Sequence, residues 1–586
     1  MRHKGLTVLL ILCLLCLSSA ALFACVSEPE MSQTLLIYMC GSDLESRRGY
    51  ASDNIADMLE AQLPHNVNVV IQTGGANSWQ REEISASEIG RYEVRHGKLI
   101  KKDTQPLASM GDAETLASFL LYAEENYPAE QTSLILWDHG GGSVDGVCRD
   151  ELFGDYLTLF ELSAALAKAQ MHYSFIGFDA CLMATYETAH AVQDYAHYLI
   201  ASEELEPAAG WDYTVLSEKL GFDGFYDEVL ASFAARQGAK TYYTLSVTDL
   251  SQLSRVDEAL DAIVNAVLEG DGRLREALED SVRFGARDPL PQATFFDIES
   301  FARCLGLECD FSGFVRTANG SARSGAGGLS FYFPSNVSAD HSGYLDMFDG
   351  EEYTAFLREY IGAVPMDTIS FSERGFIDEE SGLFGFSLDP ACLSYVQSVQ
   401  YEVHLYGELS AEDGASSLLY CIGTDNDVLL SGSRFLARFT GKWVYLDGIL
   451  LHCDVLARSG DLTVFYSPVT VNGEFSYLLF RYSQAEGAAI EGVLDGDGST
   501  ARIRPLAEGD EIAVLYDAQQ GEGERVFEEG STVYGAQTKL TVRTLPAGEY
   551  QIVPIVTDIY GNVFNAYTAA ISFDGASVTN IEISAG

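Results

Sequence analysis

Basic residues are scarce in this 586-residue chain. It has 35 Lys and Arg against 86 Asp and Glu, for a net charge of −51. So acidic a surface argues against nucleic acid or anionic lipid as a partner; it would attract cationic peptides, and it also serves plain solubility outside the cell. Cysteine is sparse too. Of 11 in total, eight lie beyond residue 25, too few for a disulfide scaffold in so long a chain. Cys304 and Cys309 are close enough to pair, or to be two buried thiols. No Cys/His cluster has zinc spacing, and no loop has the EF-hand pattern with its downstream Glu. Asp495-Gly496-Asp497-Gly498 is suggestive but lacks that Glu. After the N-terminus no apolar run approaches the ~18 residues needed to span a bilayer. There is no clear internal repeat and no low-complexity tract. Hydrophobic content of 47% excludes a largely disordered chain.

The N-terminus reads as an export signal. Arg2, His3 and Lys4 precede an apolar run from Leu6 to Leu17, followed by small residues. Leu22-Phe23-Ala24-Cys25 resembles a bacterial lipobox, in which Cys25 would carry lipid; Phe23 fits that pattern poorly, and ordinary cleavage near Ala20–Ala24 is the alternative. A lipid would hold the protein at a membrane face without a spanning helix. The expected organisation is a signal peptide over 1–24, a tether over 25–33, an α/β domain over 34–362, and a β-rich region over 363–586. In that last region strand-like runs alternate with Gly/Asp/Asn breaks, as in β-sandwich modules, with a candidate module break near 490.

Two apolar runs dominate the α/β part. Ser133-Leu134-Ile135-Leu136-Trp137 ends in Asp138-His139-Gly140-Gly141-Gly142; Phe175-Ile176-Gly177-Phe178 ends in Asp179-Ala180-Cys181-Leu182-Met183. Short apolar runs that stop at a Gly cluster or a polar break read as buried parallel strands. A helical segment from Leu157 to Leu166 supplies the crossover. Ligands bind beyond the carboxyl ends of such strands, which puts His139 and Cys181 at one edge of one sheet. A cysteine attacks as its thiolate, and an imidazole can take its proton. The glycines after His139 let a substrate approach closely and let backbone N–H groups, those of Gly140 and Cys181, face an oxyanion. Against this, most free cysteines are buried and inert. Asp138 is disfavoured as a third member, because adjacent residues at a strand end point apart. His190 and His197, on an apparently helical stretch, read as structural.

These two motifs together resemble the clostripain family of cysteine peptidases. Further segments agree: Leu35 to Asp43 with the family's first strand, Met110 to Leu116 with a helix start, Ala201-Ser202-Glu203-Glu204 and Gly210-Trp211-Asp212-Tyr213 with the segment after the Cys, and Gly328 to Pro334 with the last strand. The resemblance covers roughly residues 33–362. It implies a caspase–gingipain type of sheet flanked by helices, a His139/Cys181 dyad, and peptide or protein substrates. It further implies that Asp179, two before the Cys, lines the pocket for a substrate Arg or Lys, with Asp212 a second candidate against which Glu203 and Glu204 compete. On the residues alone, Asp179 would cap a helix starting at Cys181. Calcium dependence is an implication of the resemblance only. So is activation by a cut between the two strands; Ser143–Asp155 is Gly- and Asp-rich, reads as an exposed loop, and holds one basic residue, Arg149. Two other functions stay open: an inactive relative that binds or adheres through its β-rich region, and a thiol amidase or transpeptidase acting on cell-wall peptide.

Overall fold

The computed structural model describes residues 32–222, 224–270, 273–285, 295–365, 367–407, 418–495, 502–520 and 523–584. The export signal and Cys25 lie outside the described residues, as does most of Asp495-Gly496-Asp497-Gly498. The tether ends earlier than expected, since Gln33 already opens the first strand.

Fourteen strands make up the described part of the first 362 residues: β1 (Gln33–Cys40), β2 (Val67–Gly74), β3 (Glu88–Arg95), β4 (Lys98–Pro106), β5 (Gln131–Trp137), β6 (Val147–Asp150), β7 (Asp155–Leu157), β8 (Tyr173–Asp179), β9 (Ala196–Ala201), β10 (Ser246–Asp249), β11 (Arg283–Phe284), β12 (Phe295–Asp297), β13 (Val315–Thr317) and β14 (Ser330–Tyr332). Nine of them form one sheet in the order β13-β10-β9-β8-β5-β1-β2-β3-β4. The centre, β9-β8-β5-β1-β2, is parallel; both flanks are antiparallel.

Alternation along the central strands explains why both faces are covered. Leu36, Tyr38, Leu134, Leu136, Ile176 and Phe178 point to one face and join one core; Leu35, Ile37, Met39, Ile135, Trp137 and Phe175 point to the other and join a second. Helices Ala113–Asn126, Leu159–Ala169 and Tyr186–Val192 cover the first face. Helices Tyr50–Glu60, Tyr213–Lys219 and Phe225–Gln237 cover the second. The crossover helix starts on a capping box between Thr158 and Glu161, and the helix before β5 starts on the Asp112 cap.

Three expectations change, and one open alternative closes. Gly328–Pro334 does not enter the main sheet: β14 pairs with β12 in a separate three-stranded sheet. Ser143–Asp155 is not an exposed loop: it holds the hairpin β6–β7, and of its residues Phe153 and Gly154 are the exposed ones. Its acids turn inward, with Asp150 buried and accepting from the backbone N–H groups of Met110, Leu152 and Phe153. His197 lies on β9, not on a helix; His190 is on a helix and pairs with Asp257 at 2.8 Å. Cys304 and Cys309 are free thiols.

Helix Glu352–Gly362 is followed, among the described residues from Phe371 onward, by strands alone apart from one 3-10 turn at Pro390–Tyr395. A twelve-stranded sheet organises this region around its own core. It takes strands from both sides of residue 490, and strand Gly487–Asp495 runs through that position, so the expected module break does not fall there. Several contacts tie the region to the first domain, two of them through acidic side chains of its strands. Glu491, buried, accepts from the backbone N–H and the hydroxyl of Thr241 at 2.9 and 2.6 Å. Arg48 and Glu474 pair at 3.0 Å.

Candidate active site

Register brings the two motifs together. In the β5–β8 pair Trp137 lies opposite Asp179, and the Asp138 N–H donates to the Asp179 carbonyl at 3.3 Å. His139 and Cys181 each follow a paired residue by two positions, so they emerge side by side at the carboxyl edge of the sheet. The two strand ends touch: a Cβ at Gly140 would stand 2.2 Å from the Cys181 carbonyl oxygen, which only glycine avoids. Three non-glycine residues with positive φ surround this edge, Ser42 (47°), Cys148 (60°) and Leu182 (64°). Such backbone persists where the surroundings over-determine it, and it collects at functional sites.

Both candidate dyad residues are buried. The His139 ring is held from the short helix Ser42–Ser46 that follows β1: its Nε2 lies 2.9 Å from Asp43 Oδ1. Burial alone would raise the Asp43 carboxyl, but the hydrogen bond and charge of His139 outweigh it and hold the group down at about 2. An ionised Asp43 favours the tautomer with the proton on Nε2, which leaves Nδ1 to accept. Asp138 points elsewhere, taking the Ser42 hydroxyl at 2.5 Å, and burial pushes its carboxyl up to about 7. Asp43 is therefore the acid that orients His139. It stands within the first-strand segment of the sequence, but nothing local marks its side chain as facing a residue 96 positions away.

Cys181 Sγ accepts the backbone N–H of Glu206 at 3.1 Å. Burial pushes the thiol up to about 12, with Arg502 pulling the other way. Gly140 pairs across to Val147 through the N–H groups of Gly141 and Cys148, so its own N–H takes no part in that pair and can face an oxyanion.

Asp179, two before Cys181, is fully buried. Asp179 does not cap a helix at Cys181; residues 180–184 are non-helical, and the next helix starts at Tyr186 with Thr185 as cap. Instead its carboxylate accepts the Tyr213 hydroxyl at 2.9 Å and the Trp211 N–H at 3.4 Å. The second expected acid, Asp212, is not there. It caps helix Tyr213–Lys219, accepting from Thr214 and Val215 N–H, because the residue before a helix start has its side chain drawn to the free N–H groups. Glu203 accepts the Gly328 N–H, and Glu204 pairs with Arg323. The other acid beside Asp179 is Glu206. It accepts the Trp211 indole N–H at 3.1 Å, and burial, then the charge of Asp179, raise its carboxyl well above the ordinary range. Arg149 sits half-buried on β6, its carbonyl accepting the Cys40 thiol at 3.3 Å. Among the described residues no three acid, His or Cys side chains converge as a cation site, so calcium finds no ready-made donor set.

The pocket also holds a cation from the far end of the chain. Arg502 Nη2 lies 2.7 Å from Asp179 Oδ1, with both side chains fully buried, and its guanidinium stacks 5.0 Å over the Trp137 ring. Sequence reading had no signal for it.

Residues 37–302 match the model of the clostripain family of peptidases. A curated relative is clostripain from Hathewaya histolytica, 25% identical over 233 aligned positions, which are 34% of this chain and 44% of that protein. The chain thus spans under half the length of that relative. Similar solved structures include a secreted C11 cysteine protease from Bacteroides thetaiotaomicron in complex with an irreversible peptide inhibitor, and an inactive zymogen C11 protease from Parabacteroides distasonis. Each has 19% identity, a TM-score of 0.41, and coverage of 56% of this chain and 99% of the other.

Proposed function

We propose that this chain, whose residues 37–302 match the clostripain family model, is a cysteine endopeptidase that cleaves after Arg or Lys. The observation that carries the reading is the β5–β8 register, which sets His139 beside Cys181 at the open edge of the sheet. His139, held by Asp43, takes the Cys181 proton. The thiolate attacks the scissile carbonyl, and the oxyanion forms against the N–H groups of Gly140 and Cys181. His139 then returns the proton to the leaving amine, and water, deprotonated by His139, hydrolyses the thioester. The pocket supports the choice of a basic side chain. Asp179 and Glu206 are close and buried, and each disfavours the other's charged form, so a cation beside them stabilises their ionised forms, which a neutral side chain does not. Profiling the purified protein against a peptide library tests both halves. Cleavage confined to Arg and Lys bonds, lost in Cys181→Ala and in His139→Ala, is the expected outcome; equal hydrolysis of arginyl and norleucyl bonds overturns the specificity.

Export with lipid attachment at Cys25 and self-processing after Arg149 belong to the same reading. On the packed hairpin a cut after Arg149 needs β6 to open first, so the nick accumulates slowly and is missing from Cys181→Ala. N-terminal sequencing of fragments decides it.

A further inference from the structure

The pocket that the proposed function reserves for a substrate's basic side chain is filled by this chain's own Arg502, and we propose that the β-rich region is a tethered plug of the peptidase. Substrate must displace the segment Arg502-Ile503-Arg504 before it can reach Cys181. This deepens the Arg/Lys reading of the site and rests on it.

Four observations converge. First, the side chain is where a substrate's would be. Arg502 Nη2 contacts Asp179 Oδ1 and donates to the carbonyls of Asp179 and, at 3.3 Å, of Asp138, which stand two residues before Cys181 and one before His139. The fit is close. A Cβ at Gly210 would come 2.7 Å from Arg502 Nη1 and 2.9 Å from Asp179 Oδ1, so the pocket wall at 210 has room for glycine alone. Second, the backbone is docked as well. The Ile503 N–H donates to the Glu206 carbonyl at 3.0 Å, and the Ala208 N–H donates to the Ile503 carbonyl at 2.7 Å, a one-residue parallel bridge. Strand addition of this kind is a common way for a peptide to be held. Glu206 therefore meets the nucleophile through its N–H, the plug through its carbonyl, and the pocket through its carboxyl.

Third, the segment is anchored from behind. Arg504 exchanges both backbone hydrogen bonds with Val493, at 2.8 and 2.9 Å, on a strand of the β-rich sheet whose Glu491 is clamped to Thr241 of the first domain. Fourth, the plug is imperfect. Arg502 Nε and Nη1 and Asp179 Oδ1 make no directed hydrogen bond among the described residues, so the Asp179 contact is an ion pair rather than a fork. A guanidinium arriving in a better orientation would form the fork with the Asp179 carboxylate that Arg502 does not. The plug is thus competitive and reversible rather than permanent. Burial of the thiol under this segment also fits a resting state, since it keeps Cys181 protonated.

The test uses the full-length protein and three variants: Arg502→Ala, Arg502→Lys and Ile503→Pro. The proline removes the N–H that docks on Glu206 without touching the guanidinium, so it tests the plug if Arg502→Ala does not fold. Cys181 is inactivated in parallel with an arginyl chloromethyl ketone and with iodoacetamide, and turnover of an arginyl peptide is followed. Both Arg502→Ala and Ile503→Pro are expected to react with the arginyl reagent at least tenfold faster than wild type and to show a lower KM for the peptide. Arg502→Lys stays near wild type. Equal rates for wild type, Arg502→Ala and Ile503→Pro, with the arginyl peptide still cleaved, overturn the plug and leave the specificity standing. If Arg502→Ala gains in iodoacetamide rate but neither takes the arginyl reagent nor cleaves the arginyl peptide, the pocket reading is what fails. A fragment beginning at Ile503 would overturn the plug by making the segment a substrate.

Discussion

Replacing Asp43 by Asn removes the charge that faces His139 across 2.9 Å while keeping the size of the side chain. The residue is nearly buried, with 13% of its side chain accessible, so solvent screens the pair only in part. A hydrogen bond to a charged partner contributes about 1.5–3 kcal/mol. At 1.36 kcal/mol per factor of ten, its loss from the transition state lowers kcat by roughly 10- to 150-fold. Asp43 touches no reacting atom in this scheme; it positions His139 and favours its charged form. Asp43→Asn should therefore do more than slow turnover. The acid limb of the kcat profile should move, because the imidazolium formed in the first step has lost its counter-charge. The rate of Cys181 alkylation by iodoacetamide near neutral pH should fall as well, since the thiolate–imidazolium pair is less favoured. Asp43→Glu should recover part of both. Melting temperatures control for simple unfolding. An Asp43→Asn enzyme with kcat within twofold of wild type, the same pH profile and the same alkylation rate would refute the reasoning.

Asp179→Asn leaves a basic side chain buried opposite a neutral amide, a loss of about 3 kcal/mol or more for a broken buried pair, so kcat/KM for arginyl peptides should drop at least a hundredfold. Asp212→Ala should leave specificity alone and cost about 1 kcal/mol of stability, the worth of an N-cap, measured by urea unfolding. Asp138 has its carboxyl raised by burial from 3.8 to about 7, so its contribution to stability is fully present below about pH 4 and is lost as pH rises through 7. Urea unfolding of Asp138→Asn at pH 4 and pH 8 should show the variant gaining on wild type by up to roughly 4 kcal/mol between the two; parallel curves would refute the assignment.

The central sheet could be read from the sequence because its strands are short apolar runs that end abruptly. Ser133–Trp137 and Phe175–Phe178 are buried on both faces, so no alternation blurs them, and the reactive residues sit where the apolar run stops. Local patterns misled where a polar residue had an interior partner. Asp150 and its neighbours look like a solvated turn but are buried on Met110 and their own backbone. Asp212 carries the right charge beside Trp211, yet the helix start at Tyr213 claims it. Glu206 was one acid in an acidic run, and only the turn that brings it under Trp211 sets it apart. Arg502 was beyond reach altogether, because its partner lies 323 positions away and no periodicity links two such sites.

That separation has a consequence in time. The chain is made from its N-terminus, at about 5–20 residues per second, and domains fold as units as they emerge. The last helix of the first domain ends at Gly362 and Arg502 follows 140 positions later (502 − 362). For some 7–28 seconds at those rates the first domain exists with no guanidinium of its own to place between Asp179 and Glu206. Two buried acids without a cation lack the guanidinium that pairs with Asp179 there, so the nascent domain should stay loose around β8 until the β-rich region arrives. The same residue that withholds the site from substrates would then also complete the fold of the domain it guards.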